Sequence, residues 1–280
     1  MKKTSVVCAA VLAVFLTAAA APHAQAAPLL GIDPTGSGAY SVHTDLMTHM
    51  TDTGLLTSGA QNTMEFIYQG RVGTLQFTGT PLTPAALNNS YELTIQTRLP
   101  ESITNQVSLA DSQGAVHQTT LLGSAQNSEA LVEMFFDSSP DANPKNGSGY
   151  GDGVKVLTGR LQSMDALLDT VAAPQGARTS NGSFTAHFTI DTVNGAYLDI
   201  TNAGITGLTM TGTMNEPPFF TPASLWDGTA SAGGTLVKVD ASTSFTASGP
   251  SAVIPEPSTL LLLGAGMLGL LGASRRRKST

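Results

Sequence analysis

The chain has 280 residues, of which 41% are hydrophobic and only 12% are charged, and its formal net charge is −7. Six of its 13 basic residues lie at the two ends; setting these and Glu256 aside leaves 7 basic against 19 acidic residues, a balance of −12. Such an acidic surface repels phosphate backbones, which argues against nucleic-acid binding.

The N-terminal segment has the layout of an export signal. Lys2 and Lys3 precede the apolar run 6–21, and Ala24 and Ala26 form a small-x-small cleavage pattern. We therefore predict that residues 1–26 are a helical signal peptide removed by signal peptidase. An uncleaved membrane anchor is the alternative, but the run is short for a span of about 20 residues. The only cysteine, Cys8, lies in this segment, so the mature chain is expected to have no disulfide, thiolate metal site or cysteine nucleophile.

Residues 27–251 show the period of β-strands. In the segment 184–190, Phe184, Ala186, Phe188 and Ile190 alternate with threonines and His187. Asn/Gly and Asp/Gly turns separate similar segments. The predicted strands are 62–69, 72–78, 91–99, 116–122, 130–136, 154–161, 184–190, 196–200 and 235–246. This pattern predicts one all-β domain, an antiparallel β-sandwich of jelly-roll type.

Two short helical turns are predicted within this domain, at residues 45–50 and 163–171. The second has four apolar residues at helical spacing, namely Met164, Leu167, Leu168 and Val171. No internal repeat and no long linker divides the domain, and residues 248–254 are expected to connect it to the C-terminal segment.

The loop 137–153 is rich in Asp, Asn and Gly, and such oxygen ligands on a Gly-rich loop suit Ca²⁺. The candidate ligands are Asp137, Asp141, Asn143 and Asp152. Lys145 stands where the third ligand of an EF-hand would be, so the loop is not of that type. An ordinary exposed loop is the alternative, because these residues also favour turns. No other cofactor is predicted.

Catalytic patterns are weak. His43 and His49 are six residues apart, which does not suit a metal site on one helix face, so the segment with Asp45 and Asp52 is interpreted as partly exposed and polar. His187 is expected on a solvated strand face. No G-x-S-x-G motif occurs, and sequence spacing cannot pair carboxylates for a glycosidase, which remains an alternative. Four aromatic residues could stack on sugars, although a tryptophan such as Trp226 is more often a core residue: Tyr91, Tyr150, Tyr197 and Trp226. We expect the chain not to be an enzyme.

The C-terminal segment has three parts in a fixed order. Pro255, Glu256 and Pro257 precede the apolar run 260–273, and a basic cluster follows, consisting of Arg275, Arg276, Arg277 and Lys278. A run of about 14 residues covers about two-thirds of a hydrocarbon core. We predict a short transmembrane helix whose basic end stays in the cytoplasm.

Residues 253–278 resemble the PEP-CTERM sorting domain of Gram-negative bacteria in order and spacing. The resemblance implies recognition by an exosortase, a membrane transpeptidase, transient anchoring in the inner membrane and cleavage near Pro255–Pro257. A plain membrane anchor is the alternative. The expected domains are therefore a signal peptide at 1–26, an ectodomain at 27–251 and a sorting tail at 252–280.

A second resemblance concerns the ectodomain. Its layout resembles that of flocculation-associated PEP-CTERM proteins. The features that carry the resemblance are the segment 135–137, the loop ending at Gly153, the segment 156–159 and a last strand at 234–245. This resemblance implies a structural or adhesive role in exopolysaccharide, biofilm or floc formation, at the cell surface or in the extracellular matrix. The alternative is a polysaccharide-binding module, with or without calcium.

Overall fold

The computed structural model describes residues 29–59, 62–77, 80–81, 84–124, 130–174, 176, 178–201, 204–216, 224–225, 227–230 and 234–247. In these ranges the regular structure consists of strands: β1 Leu30–Ile32, β2 Val42–Thr44, β3 Leu46–Ser58, β4 Thr63–Phe77, β5 Thr80–Pro81, β6 Glu92–Ala110, β7 Val116–Ser124, β8 Leu131–Asp137, β9 Val154–Ala172, β10 Arg178–Val193, β11 Leu198–Asp199, β12 Ile205–Asn215 and β13 Thr235–Ala247.

Ten of these strands form one antiparallel sheet that closes on itself. Its order is β5-β4-β3-β13-β12-β10-β9-β7-β6-β8, and an additional pairing between β4 and β6 joins its two sides. β7 and β8 occupy one position end to end, because both pair with the long strands β6 and β9. A small sheet of order β11-β1-β2 accompanies it.

The interior of the closed sheet is filled by side chains from opposite walls. The rings of Phe66 on β4 and Phe184 on β10 meet edge to face with their centroids 5.3 Å apart, although several strands separate them along the sheet. Glycines on the neighbouring strands make room for both rings. A Cβ at Gly54 would lie 2.2 Å from Phe66, and one at Gly212 would lie 2.6 Å from Phe184. The two halves of the sheet therefore share one core, as in a sandwich.

Loops cover part of the outer face of β4 and β6. Leu225 packs on the outward residues Leu55 and Ile67, which form a second small apolar cluster. The Thr94 hydroxyl donates to the Tyr150 carbonyl at 2.7 Å. The acidic loop after β8 is thereby held against the body of the protein.

The all-β, antiparallel prediction is confirmed, whereas the jelly-roll arrangement is not, since one hydrogen-bonded sheet surrounds the core. Both predicted helical turns are wrong. Residues 45–50 fall largely in β3, and residues 163–171 belong to β9, which pairs with β7 and β10 along that stretch. Backbone pairing on both edges favours the extended conformation over the local helical spacing.

The predicted strands at 62–69 and 72–78 are one strand, β4. The strands that the prediction missed are β1, β2, β3, β5 and β12. The predicted signal helix and transmembrane helix lie outside the described residues. Within the part of the chain that is described, we find no apolar helix of membrane-spanning length.

Candidate functional site

The acidic loop brings together only some of the predicted calcium ligands. One carboxylate oxygen each from Asp137, Asp141 and Glu92 lies within 4.8 Å of the others. Asn143 is engaged elsewhere, because its side-chain oxygen accepts the Lys145 amide at 2.9 Å. Glu92 is a ligand candidate that the sequence spacing missed. It lies 45 residues before Asp137 but is its direct partner in the pairing of β6 with β8.

Glu92 is buried and its two oxygens have different surroundings. Oε1 accepts the backbone amides of Asp141 and Ala142, each at 2.9 Å. Oε2 lies 3.5 Å from Arg71 Nη1. Burial raises the pKa of the Glu92 carboxyl, and these amides and the guanidinium offset part of that rise.

Carboxylates crowd each other around Asp141. Desolvation, followed by the charges of Asp152 and Asp137, raises the pKa of the Asp141 carboxyl. A divalent cation would relieve this repulsion. Three carboxylates supply fewer than the six to eight oxygens that Ca²⁺ takes, so backbone carbonyls or water would complete its coordination. Asp152 thus adds negative charge near the cluster but is not one of its three grouped carboxylates.

A second polar group lies inside the core, where the sequence predicted a partly exposed segment. The ring of His49 contacts the Tyr68 hydroxyl through Nδ1 and the Thr243 hydroxyl through Nε2, the latter at 3.0 Å. The Tyr68 hydroxyl donates to Asp52 Oδ2 at 2.9 Å. The prediction for this segment is therefore wrong for His49 and Asp52, because their mutual bonds compensate for burial.

This group stabilises the irregular part of β3 rather than meeting a ligand. Asp52 lies where the pairings of β3 with β4 and with β13 both shift register, and it also accepts the Ala241 amide at 3.3 Å. Burial lowers the pKa of His49 to about 3, so its imidazole is neutral at pH 7, and burial raises the pKa of the Asp52 carboxyl. His49, Asp52 and Tyr68 are all enclosed in the core.

The remaining residues singled out from the sequence are a histidine, the possible sugar-stacking aromatic residues and the signal-peptidase alanines. His187 is exposed beside the Thr209 hydroxyl, as expected. Tyr91 and Tyr150 are buried, so they do not offer stacking surfaces for a sugar. Tyr197 packs against Phe136 with ring centroids 4.8 Å apart. Trp226, Ala24 and Ala26 lie outside the described residues.

A cavity of about 290 Å³ opens at one end of the closed sheet. Near it lies Glu101 on β6, a fully buried residue whose two carboxyl oxygens have no hydrogen-bond partner within the described part of the chain. Burial raises the pKa of the Glu101 carboxyl to about 8, so this group is protonated at neutral pH. Sequence reasoning did not single out Glu101.

Comparison with known proteins bears on the C-terminus. Residues 253–278 match the family model of the PEP-CTERM protein-sorting motif. The chain carries a PEP-CTERM sorting motif. The match includes the triplet Pro255–Pro257, the apolar run and the basic residues 275–278, all outside the described residues. No curated protein and no solved structure matches the chain.

The PEP-CTERM motif implies an extracellular protein that is processed by an exosortase and exported to the surface of a Gram-negative cell. It does not indicate what the ectodomain does there. The ectodomain offers two candidate ligand-binding regions. One is the carboxylate cluster on the acidic loop, and the other is the end cavity near Glu101.

Glu101→Gln should change the pH dependence of stability. The folded chain keeps a proton on Glu101 that the unfolded chain releases above pH 4.5, so this group's favourable contribution is full below pH 4.5 and is lost as the pH rises through about 8. At pH 8 the variant should unfold roughly 5 °C or more above the wild type, with convergence near pH 4.

Thermal unfolding followed by circular dichroism from pH 4 to 9 measures this difference. Glu65→Gln, at a partly exposed glutamate on β4, is the control and should leave the profile unchanged. Parallel curves for Glu101→Gln and the wild type would contradict a buried, protonated Glu101.

Proposed function

We propose that the ectodomain of this exosortase-sorted protein is a non-catalytic structural or adhesive component of the extracellular polysaccharide matrix, acting in biofilm or floc formation. The observation that carries the proposal is an exposed apolar surface on a projecting part of the closed sheet. A sorted protein that self-associates through such a surface would connect matrix to cells.

The projecting part consists of the C-terminal halves of β6 and β9 with β7 between them, and we call it the projecting wall. β6 pairs with β4 from Thr94 to Ser102, and within the described residues its pairing with β4 ends there. From Asn105 to Ala110, β6 continues its pairing with β7 alone. The wall therefore has a strand edge whose backbone groups are available to a further strand.

The outer face of the projecting wall carries exposed apolar side chains next to polar residues such as Thr119 and Asp169. Val107 is 51% exposed and Leu109 is 69% exposed on β6. Leu121 on β7 and Val171 on β9 are also exposed on this face. A group of exposed apolar side chains marks a contact site more often than isolated apolar residues do.

A second copy of the chain suits this surface. An antiparallel edge pairs with an identical edge about a two-fold axis, so the same residues serve on both sides. The ectodomain's acidic balance opposes association elsewhere on the surface, which favours contact where exposed apolar side chains are concentrated. Added salt would screen that repulsion and strengthen the contact.

Replacing both Val107 and Leu109 with lysine should abolish self-association. A charged edge strand resists pairing, and exposed positions change folding stability by only about 0.5 kcal/mol. Sedimentation velocity at low and high salt measures the association, with Leu131→Lys as control, since Leu131 is a 42% exposed leucine on β8.

The same variants, introduced into a strain lacking the gene, connect the contact to the proposed role. The double lysine variant should lower flocculation and matrix yield, whereas the Leu131→Lys strain should match the wild type. Unchanged flocculation in the deletion strain itself would contradict the adhesive role.

Calcium-assisted polysaccharide binding is a second candidate, favoured by the cluster of Glu92, Asp137 and Asp141. Calorimetric titration with Ca²⁺ should show saturable binding that Asp141→Asn weakens about tenfold or more, because one hard oxygen ligand loses its charge. Asp111→Asn, at an exposed loop carboxylate outside the cluster, should bind Ca²⁺ as the wild type does. A glycan array that is blank with and without Ca²⁺ would contradict this candidate.

A further inference from the structure

The end cavity lies where some strands of the closed sheet extend further than the strands opposite them. The pairing of β3 with β4 in their hairpin ends at Ser58↔Met64, whereas the projecting wall continues beyond it. The inner face of the wall is therefore left facing the hairpin, and the cavity of about 290 Å³ occupies the space between them. This volume is at the small end of the range for ligand sites.

The inner face of the projecting wall carries several polar side chains beside Leu168. Inward positions carry hydroxyl and amide side chains where the rest of the interior carries apolar ones. The polar residues lining the cavity include Ser58, Asn62, Gln106, Gln118, Thr120 and Thr170. Apolar residues at these positions would extend the core and stabilise the fold. Polar residues there are therefore better explained by binding than by packing.

The polar lining is partly held in place by its own hydrogen bonds. Gln106 donates to the Thr120 hydroxyl at 3.2 Å. The hydroxyls of Thr170 and Ser180 are 3.1 Å apart. None of the residues lining the cavity carries a charge. The lining therefore offers oriented donors and acceptors to a ligand that is itself uncharged.

Glu101 is a neighbour of residues that line this cavity, although it does not line the cavity itself. It is paired across the sheet with Met64, which in turn is paired with Ser58, so that the three residues form one row facing the interior. Met64 and Ser58 both line the cavity, as does Ile103, the next inward residue on β6. Glu101 is completely buried, and within the described residues neither of its oxygens has a hydrogen-bond partner.

A buried carboxyl group without a partner is costly, so its presence beside a polar cavity requires a reason. A ligand that enters the cavity and bonds to Glu101 would supply the missing partner. Because the group holds its proton at neutral pH, it can donate one hydrogen bond and accept others, which matches a hydroxyl group of a ligand.

We propose that the end cavity binds one neutral, hydroxyl-rich ring, the size of a single sugar residue, with Thr120 bonding to it from the projecting wall and the neighbouring Glu101 turning toward the ring as it enters. Hydroxyl and amide linings satisfy a ring whose every hydroxyl both donates and accepts. The chain end of a polysaccharide presents such a ring, so the site would capture termini rather than the middle of a glycan. That last step rests on the proposed location in a polysaccharide matrix.

The test is a ligand-observed NMR titration of the full chain in a detergent without a sugar headgroup. The probes are glucose, galactose and N-acetylglucosamine, which are neutral, and glucosamine, which is cationic. At least one neutral sugar should bind saturably. Glu101→Leu and Thr120→Val should each weaken that binding about tenfold or more, whereas Glu101→Gln, which keeps a donor and an acceptor, should stay within about threefold.

Thr119→Val is the matched control, because Thr119 is the next residue on β7, faces outward and bonds to Asp169 at 2.6 Å. It should bind as the wild type does, and unfolding curves should show that all variants are folded. No saturable binding by any neutral sugar, tighter binding of glucosamine, or equal effects of Thr119→Val and Thr120→Val would overturn the proposal. Sedimentation tests the proposed self-association separately, so either idea can fail alone.

Discussion

The pairing of β4 with β6 is the interaction on which the rest of the ectodomain depends. Nine residue pairs, from Thr63↔Ser102 to Arg71↔Thr94, join the two sides of a row of strands that would otherwise be open. Closure forces opposite walls to face each other, so that Phe66 and Phe184 meet in the middle. It also removes the edges of β4 and of the first half of β6, which would otherwise invite aggregation.

Closure that stops at Ser102 has a further consequence. β6, β7 and β9 continue past the β3–β4 pairing, and among the described residues no strand pairs with this part of β6 on its other edge. The outer face of the projecting wall carries exposed apolar side chains, whereas its inner face carries several polar ones. Burial of polar groups beside a core and exposure of apolar groups to water both oppose stability, which is why we place self-association on one face and ligand binding on the other.

The sequence predicts the parts of this fold that depend on local alternation. Phe184, Ala186 and Phe188 lie on the inner face of β10, as their spacing indicates. The prediction of a helical turn fails on β9. Leu167 and Val171 face outward there, on the projecting wall, whereas Met164 and Leu168 face inward. Together the four apolar residues have the spacing of one face of a helix. Sequence periodicity assumes that apolar residues face the core, and this wall breaks that assumption.

The candidate sites depend on long-range pairing, which one sequence does not contain. Asp137 and Asp141 were identified from their loop, but Glu92 joins them only because β6 pairs with β8. His49 and Asp52 suggested an exposed segment because their partner, Tyr68, lies on the next strand. The sorting motif was predictable in full, since an enzyme reads it as a short continuous sequence.

The central claim is that this chain is sorted through its tail to the outside of the cell. Peptide mapping of the C-terminus, on protein from the native extracellular fraction, tests that claim most directly. Sorting predicts an extracellular protein that ends near Pro255–Pro257. A tail intact to Thr280, on protein found only in the inner membrane, would contradict it and would make the ectodomain a tethered periplasmic domain.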